Sequence, residues 1–131
     1  MKAAELRIGN LVLLDGEEMI ITGITKDYVY FEGGFSMISF TDIKGIPLTE
    51  EWLLKFGWLW NEETKSYEKY PNGDARMHLA KRPVNGSYTM FNYVLKAQIA
   101  ERIWYVHQLQ NLYFVLTGEE LETKTNQNLK L

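Results

Sequence analysis

Short apolar segments broken by turn dipeptides dominate the first forty residues, and this punctuation limits the fold more than any other feature. Leu11–Leu14 ends at Asp15-Gly16, Met19–Ile24 is bounded by Gly23 and Thr25-Lys26-Asp27, Tyr28–Glu32 stops at Gly33-Gly34, and Phe35–Phe40 follows. Runs this short cannot make long helices. Separated by Asp-Gly and Gly-Gly, they read as an antiparallel meander joined by hairpins. Ile46-Pro47-Leu48 closes it, because proline cannot donate to a central ladder.

The pattern then switches. Thr49 occupies an N-cap position ahead of Glu50 and Glu51, whose carboxylates suit a helix N-terminus. Trp52, Leu53 and Phe56 form an apolar stripe, and Gly57 follows where a left-handed cap belongs. A helix of about two turns is expected over Glu50–Phe56. Trp58-Leu59-Trp60, Ser66–Tyr70, Ala75–Ala80 and Tyr88–Leu95 make a second strand-rich region, with turns at Asn61–Lys65, Pro71–Asp74 and Pro83–Gly86. Alternation puts Tyr67 and Glu68 on opposite faces, and His78 opposite Met77 and Leu79.

Near the end, Val106, Leu109, Tyr113 and Leu116 share a helical face that stops at Gly118. Two starts fit this pattern. Ile99 and Ile103 extend the stripe back towards Ala97, whereas Ile103-Trp104-Tyr105 reads as a last strand leading to a helix at Val106. The strand propensity of Ile-Trp-Tyr-Val favours the second. Residues 118–131 read as a polar tail. The expected architecture is a single α+β domain over 1–131. An N-terminal meander (1–46) is followed by a short helix (49–57), a second β region (58–104) and a C-terminal helix (105–117).

Composition narrows the chemistry. At 131 residues the chain can bury roughly 65–70% of the surface its unfolded form exposes. Its 46% hydrophobic content argues against disorder. Cysteine is absent, which excludes disulfides, thiolate metal sites and thiol nucleophiles and fits a cytoplasmic compartment. No apolar leader or run of membrane-spanning length occurs, so no membrane role is expected. The net charge of −3, with no basic block beyond Lys81-Arg82, supplies no long-range pull on phosphate backbones.

Three stretches, Glu5–Val12, Ile46–Gly57 (Ile-Pro-Leu-Thr-Glu-Glu-Trp-Leu-Leu-Lys-Phe-Gly) and Tyr105–Leu121 (Tyr-Val-His-Gln-Leu-Gln-Asn-Leu-Tyr-Phe-Val-Leu-Thr-Gly-Glu-Glu-Leu), have a family character. In that order they resemble a family of small uncharacterised proteins found in gut bacteria of the Bacteroides group, their prophages and their large tailed phages. The resemblance spans about a third of the chain. It implies a phage-associated or mobile-element origin and carries over no catalytic residue. The opening Arg7–Val12 with the short strands after it also resembles the entry to a small SH3-like barrel. Such barrels can hold nucleic acid on aromatics such as Tyr28, Tyr30 and Phe35, but Arg7, Lys26 and Lys44 are the only cations nearby.

No catalytic constellation is legible. There is no Gly-x-Ser-x-Gly elbow, Walker loop or dinucleotide fingerprint. The adjacent carboxylates Glu17-Glu18, Glu50-Glu51, Glu62-Glu63 and Glu119-Glu120 suit solvated loops and helix starts. His78 and His107, the only two histidines, cannot build a usual zinc site without two carboxylates, so neither a metal nor a cofactor is expected. His107, Gln108, Gln110 and Asn111 form a polar cluster on the last helix. Read functionally they contact a base edge or a phosphate; read structurally, and preferably, their amides bond loops of the same chain.

Expectation therefore falls on a non-enzymatic binding protein of phage type, taking a small anionic ligand such as a signalling nucleotide, or a host protein. Trp58, Trp60, Tyr70, Trp104 and Tyr105 are the candidate stacking plates, and Arg76, Lys81, Arg82 and Arg102 the candidate cations. A nucleic-acid-binding module using the N-terminal barrel and an oligomeric assembly protein are the alternatives.

Overall fold

The computed structural model describes residues 1–34, 37–70, 77–92 and 97–123. The protein is α+β, with two five-stranded antiparallel sheets, a short central helix and a C-terminal helix. Two compact units are present, and the chain passes between them after Pro47, after Trp104 and after Glu119.

The first unit contains Met1–Pro47 and Tyr105–Glu119. Its sheet has the order β4-β3-β2-β1-β5, with β1 (Leu11–Leu14), β2 (Glu17–Ile24), β3 (Tyr28–Phe31), β4 (Ile38–Ser39) and β5 (Ile43–Lys44). The expected hairpin at Asp15-Gly16 is there: Leu14 pairs with Glu17 across a two-residue turn whose φ values are +51° and +80°. Positive φ at both central residues matches the right-handed twist of the flanking strands. A single 3₁₀ turn, Phe40–Asp42, capped by the Ser39 hydroxyl, lifts the chain from β4 to β5. Sequence reasoning missed β5, because two residues paired to Leu13 and Leu14 carry no periodicity of their own. Val12, Leu14, Ile21, Val29, Phe31 and Ile43 form the core, closed by Leu6.

Helix α2 (Val106–Thr117) belongs to this unit. Its buried face carries Val106, Leu109 and Tyr113, as the helical spacing requires. Gly118, at φ +75°, ends it with an amide bond to the Phe114 carbonyl. Of the two starts, Val106 is the one observed.

The second unit runs from Leu48 to Trp104 and takes in residues from Glu120 on. It opens with α1 (Glu50–Lys55), where the Thr49 hydroxyl accepts the Trp52 amide at 3.3 Å and Gly57 sits at φ +87°. Its sheet has the order β10-β9-β8-β7-β6, a continuous meander of β6 (Leu59–Asn61), β7 (Ser66–Lys69), β8 (Met77–Lys81), β9 (Tyr88–Asn92) and β10 (Ala97–Ile103). The strand before α2 therefore ends at Ile103, where the expected strand Ile103-Trp104-Tyr105 began, and reaches back to Ala97. Bulges around Ala100, and Arg102 at φ +58°, break its alternation, which hid it from a period-two pattern. The register aligns Trp60, Tyr67, Leu79 and Met90 in one cross-strand row and Leu59, Glu68, His78 and Phe91 in the next. Leu53, Phe56, Trp58, Leu79, Tyr88 and Met90 are buried. The turn expected at Pro71–Asp74, with Ala75 and Arg76, lies outside the described residues, as do Phe35, Tyr93–Leu95 and most of the expected tail.

Candidate functional site

The register places a cleft at the β6–β7 end of the second unit. It has a volume of about 810 Å³, and Trp60, Asn61, Glu62, Glu68, Lys69 and Tyr70 are among the residues lining it. Two aromatic rings stand on its rim: Trp60 is 47% exposed and Tyr70 45%. Each is fixed at its polar tip by a carboxylate. The Trp60 indole N–H donates to Glu62 Oε2 at 2.7 Å, and the Tyr70 hydroxyl donates to Glu68 Oε2 at 2.7 Å. Tyr67, opposite Trp60 in the ladder, meets the indole edge-on at 5.0 Å between centroids. The plates are therefore held before any ligand arrives, which lowers the ordering cost of binding.

Glu68 is the buried centre of this arrangement. Its Oε1 accepts from Asn61 Nδ2 at 2.9 Å and from Thr64 Oγ1 at 3.3 Å, and it lies 3.3 Å from His78 Nδ1. His78 in turn meets Ser66 Oγ at 3.0 Å and stacks on Phe91 at 5.4 Å. Burial raises the Glu68 carboxyl, but the hydrogen bonds from Tyr70 and Asn61 and the nearby imidazole outweigh it and hold the group below the usual carboxylate range. It is therefore ionised at neutral pH. Both Ser66 Oγ and Glu68 Oε1 approach the same imidazole nitrogen, Nδ1. A nucleophilic serine needs one nitrogen while the orienting carboxylate holds the other, so this network positions Glu68 and does not activate Ser66.

Charge in the cleft is negative. Among the described lining residues, Glu62, Glu63 and Glu68 stand against Lys69, and the Lys69 ammonium donates to the Phe56 carbonyl at 2.9 Å, at the C-terminal cap of α1. Lys65 pairs with Glu62 beside the cleft and lowers its pKa.

The sequence candidates divide. Trp60 and Tyr70 meet in this cleft. Trp58 does not join them: it is fully buried in the core, and no ring face is open to stack on. The cations fall elsewhere on the sheet. Arg82, just past β8, donates to Thr89 Oγ1 at 2.9 Å and to Gln98 Oε1 at 3.4 Å, and lies 3.6 Å from Glu101, so it faces β9 and β10. Exposed Lys81 ends β8. Arg102 is on β10, the edge opposite β6. Trp104 is 39% exposed, and its carbonyl accepts the Leu48 amide. Arg76 lies outside the described residues.

In the first unit, the polar helix cluster is mainly structural. Gln110 Oε1 accepts the Leu11 amide at 2.9 Å and Asn10 Nδ2 at 3.3 Å. Asn111 Oδ1 accepts from Asn10 at 2.8 Å and from Arg7 at 3.0 Å, while its Nδ2 donates to the Glu5 carbonyl. The two amides lace the N-terminal segment to α2, as the structural reading held. Gln108 Oε1 caps the Tyr105 amide at 3.0 Å. His107 and Gln108 remain beside a second cleft of about 380 Å³, with Tyr105 on its rim. The Tyr105 ring lies over His107, 5.8 Å between centroids and 11° from parallel. It rests on Gly45, where an added Cβ would stand 2.6 Å from Tyr105 Cγ.

Of the aromatics considered for nucleic acid, Phe35 lies outside the described residues. Tyr28 is exposed, whereas Tyr30 packs against Gly23 and Arg7 lies over the Phe114 ring at 4.2 Å. Among the described residues, no group of three or more His, Cys, Asp or Glu could hold a metal ion, and no helix is long and apolar enough to cross a membrane. Set beside known proteins, the chain has no match: no family model, no curated protein and no solved structure matches it.

Proposed function

We propose that this chain is a non-enzymatic binding protein whose β6–β7 cleft captures a cationic group, an arginine or lysine side chain presented by a partner protein. The observation that carries this reading is the pair of pre-set plates, Trp60 and Tyr70, each anchored to a carboxylate in a cleft whose described lining holds three carboxylates, Glu62 of them paired with Lys65, and the committed Lys69 ammonium. An aromatic face attracts a cation by about 0.5–2 kcal/mol, and neighbouring carboxylates add to that attraction. The same carboxylates repel an anion. The partner-protein branch of the expected function thus gains support from this cleft, and the small-anion branch does not. A phage-associated inhibitor of a host protein remains part of the proposal on the strength of the sequence resemblance. So does an SH3-like first unit, with β1 between β2 and β5 and a 3₁₀ turn leading into β5 as support.

The test is an NMR titration with two synthetic peptides, one rich in Lys and Arg and one with Glu at those positions, observed at the Trp60 indole N–H. The basic peptide should shift that resonance saturably and the acidic one should not. Trp60→Ala should weaken binding about 3- to 30-fold and leave the amide spectrum of the core in place. Equal response to both peptides, or none to either, would end this reading.

A further inference from the structure

A second cleft, in the first unit, has a different chemistry. It lies where α2 begins: Tyr105 is the N-cap, and His107 and Gln108 are the second and third residues of the helix. At 12 residues, α2 is long enough to carry a useful dipole, although in its first turn the Val106 amide already donates to the Ile46 carbonyl and the Gln108 amide to that of Tyr105. Beside that turn stands exposed Lys44, the last residue of β5, followed by Gly45. A helix start alone would not define a site. The independent observation is His107. The residue lines this cleft yet is only 3% exposed, and its buried Nδ1 has no hydrogen-bond partner. Buried polar atoms nearly always have partners, so an unsatisfied one at a cleft calls for an explanation. Its neighbour Gln108, by contrast, spends its side-chain oxygen on the Tyr105 amide.

We propose that the N-terminus of α2 binds a small oxyanion, held by the Lys44 ammonium and by a hydrogen bond from the His107 imidazole, with the Tyr105 ring as a wall. This site is separate from the β6–β7 cleft and does not depend on the reading given to it. Glu5 also lines the cleft, with its Oε2 accepting the Lys2 amide. Its carboxylate opposes an anion and weakens the binding of an ion with no further contacts. The oxyanion chemistry is shared by a free inorganic ion and by the phosphate of a nucleotide. Only the nucleotide adds a base that can stack on the exposed part of Tyr105.

A bound anion favours the protonated imidazole, which offers a donor at each nitrogen. The charged groups lining the cleft with His107 are Glu5, which favours protonation, and the Lys44 and Met1 ammonium groups, which disfavour it. With burial already holding the imidazole below its usual range, affinity should rise as pH falls through and below neutrality. Sulfate is the suitable first probe, because its charge is constant over that range. The experiment is an NMR titration of the whole chain with sulfate at fixed ionic strength, read at the His107 ring protons and the Gly45 amide, at pH 6 and pH 8. Saturable shifts, tighter at pH 6 and about 5- to 10-fold weaker in Lys44→Gln, are expected. Adenosine monophosphate binding about 10-fold tighter than sulfate, with that gain lost in Tyr105→Leu, would identify a nucleotide phosphate as the natural oxyanion. Equal affinities would identify a free ion. Shifts that never saturate, or that are the same in Lys44→Gln, would overturn the site.

Discussion

Gly45 shows how one missing Cβ can set the geometry of a site. Tyr105 packs so closely on it that a methyl group would fall 2.6 Å from Tyr105 Cγ and 2.7 Å from Cδ1, well inside contact distance. The ring cannot retreat cheaply, because it also stacks on buried His107. Gly45→Ala should therefore destabilise the first unit by about 1–3 kcal/mol, the usual cost of overpacking. Tyr105→Ala in the same chain should recover most of that loss, a coupling that a urea double-mutant cycle measures directly. A cost for Gly45→Ala that is unchanged in the Tyr105→Ala background would show that the clash is not its source. Nothing in the sequence marks Gly45 for this role. It precedes Ile46-Pro47 and reads as a loop residue, and Tyr105 lies sixty residues away.

Among the elements, those with signals written in adjacent residues were legible. Thr49 with Glu50 and Glu51, then Gly57, marked α1 at both ends, and Asp15-Gly16 marked the β1–β2 hairpin. In each case the deciding interaction spans three residues or fewer, as in Thr49 Oγ1 to the Trp52 amide. Thr49→Ala should accordingly cost about 1 kcal/mol, the typical worth of such a cap. Thr49→Asp should restore it, since aspartate caps equally well and adds charge at the positive end of the helix. Thermal melts of the three proteins test this, and an Ala variant as stable as the parent would remove the cap from the account. Strands β5 and β10 were illegible for the opposite reason. Two-residue β5 exists because β1 offers it a partner, and β10 is bulged, so neither displays a period. Trp60 and Tyr70 line one cleft, yet Trp58, identical in kind and two residues from Trp60, is core. Alternation places 58 and 60 on the same face of an extended strand; the chain avoids that outcome because β6 begins only at Leu59, and Trp58 still belongs to the exit from α1, with its amide bonded to the Leu53 carbonyl.

At the level of the molecule, folding opposes the protonation of a buried group in each unit. In the first unit, burial depresses the His107 pKa below 6.5. In the second, the hydrogen bonds to Glu68 depress its carboxyl below 4.5 despite the burial that opposes them. For both, the unfolded chain binds a proton first as pH falls, so both contributions are complete above the unfolded value and lost on acidification. The windows differ: the first unit should weaken below about pH 6.5 and the second only below about pH 4.5. Hydrogen exchange at pH 7.5 and 5.5, corrected for intrinsic rates, should show protection falling first in β1–β3 and α2, with β7–β9 little changed. Equal losses in both sheets would refute the assignment.

The sequence by itself determined the α+β class, the capped helices, the tight β1–β2 turn and the absence of thiol chemistry, because each is decided by residue type or by neighbours within a turn. Tertiary structure decided what the functional side chains do. It buried Trp58, turned Gln110 and Asn111 inward onto Asn10, and committed Arg82 to the β9–β10 side of its sheet. It also gathered Trp60, Glu62, Glu68 and Tyr70 into one cleft. Those outcomes depend on register and on pairings across tens of residues, and no local pattern carries either.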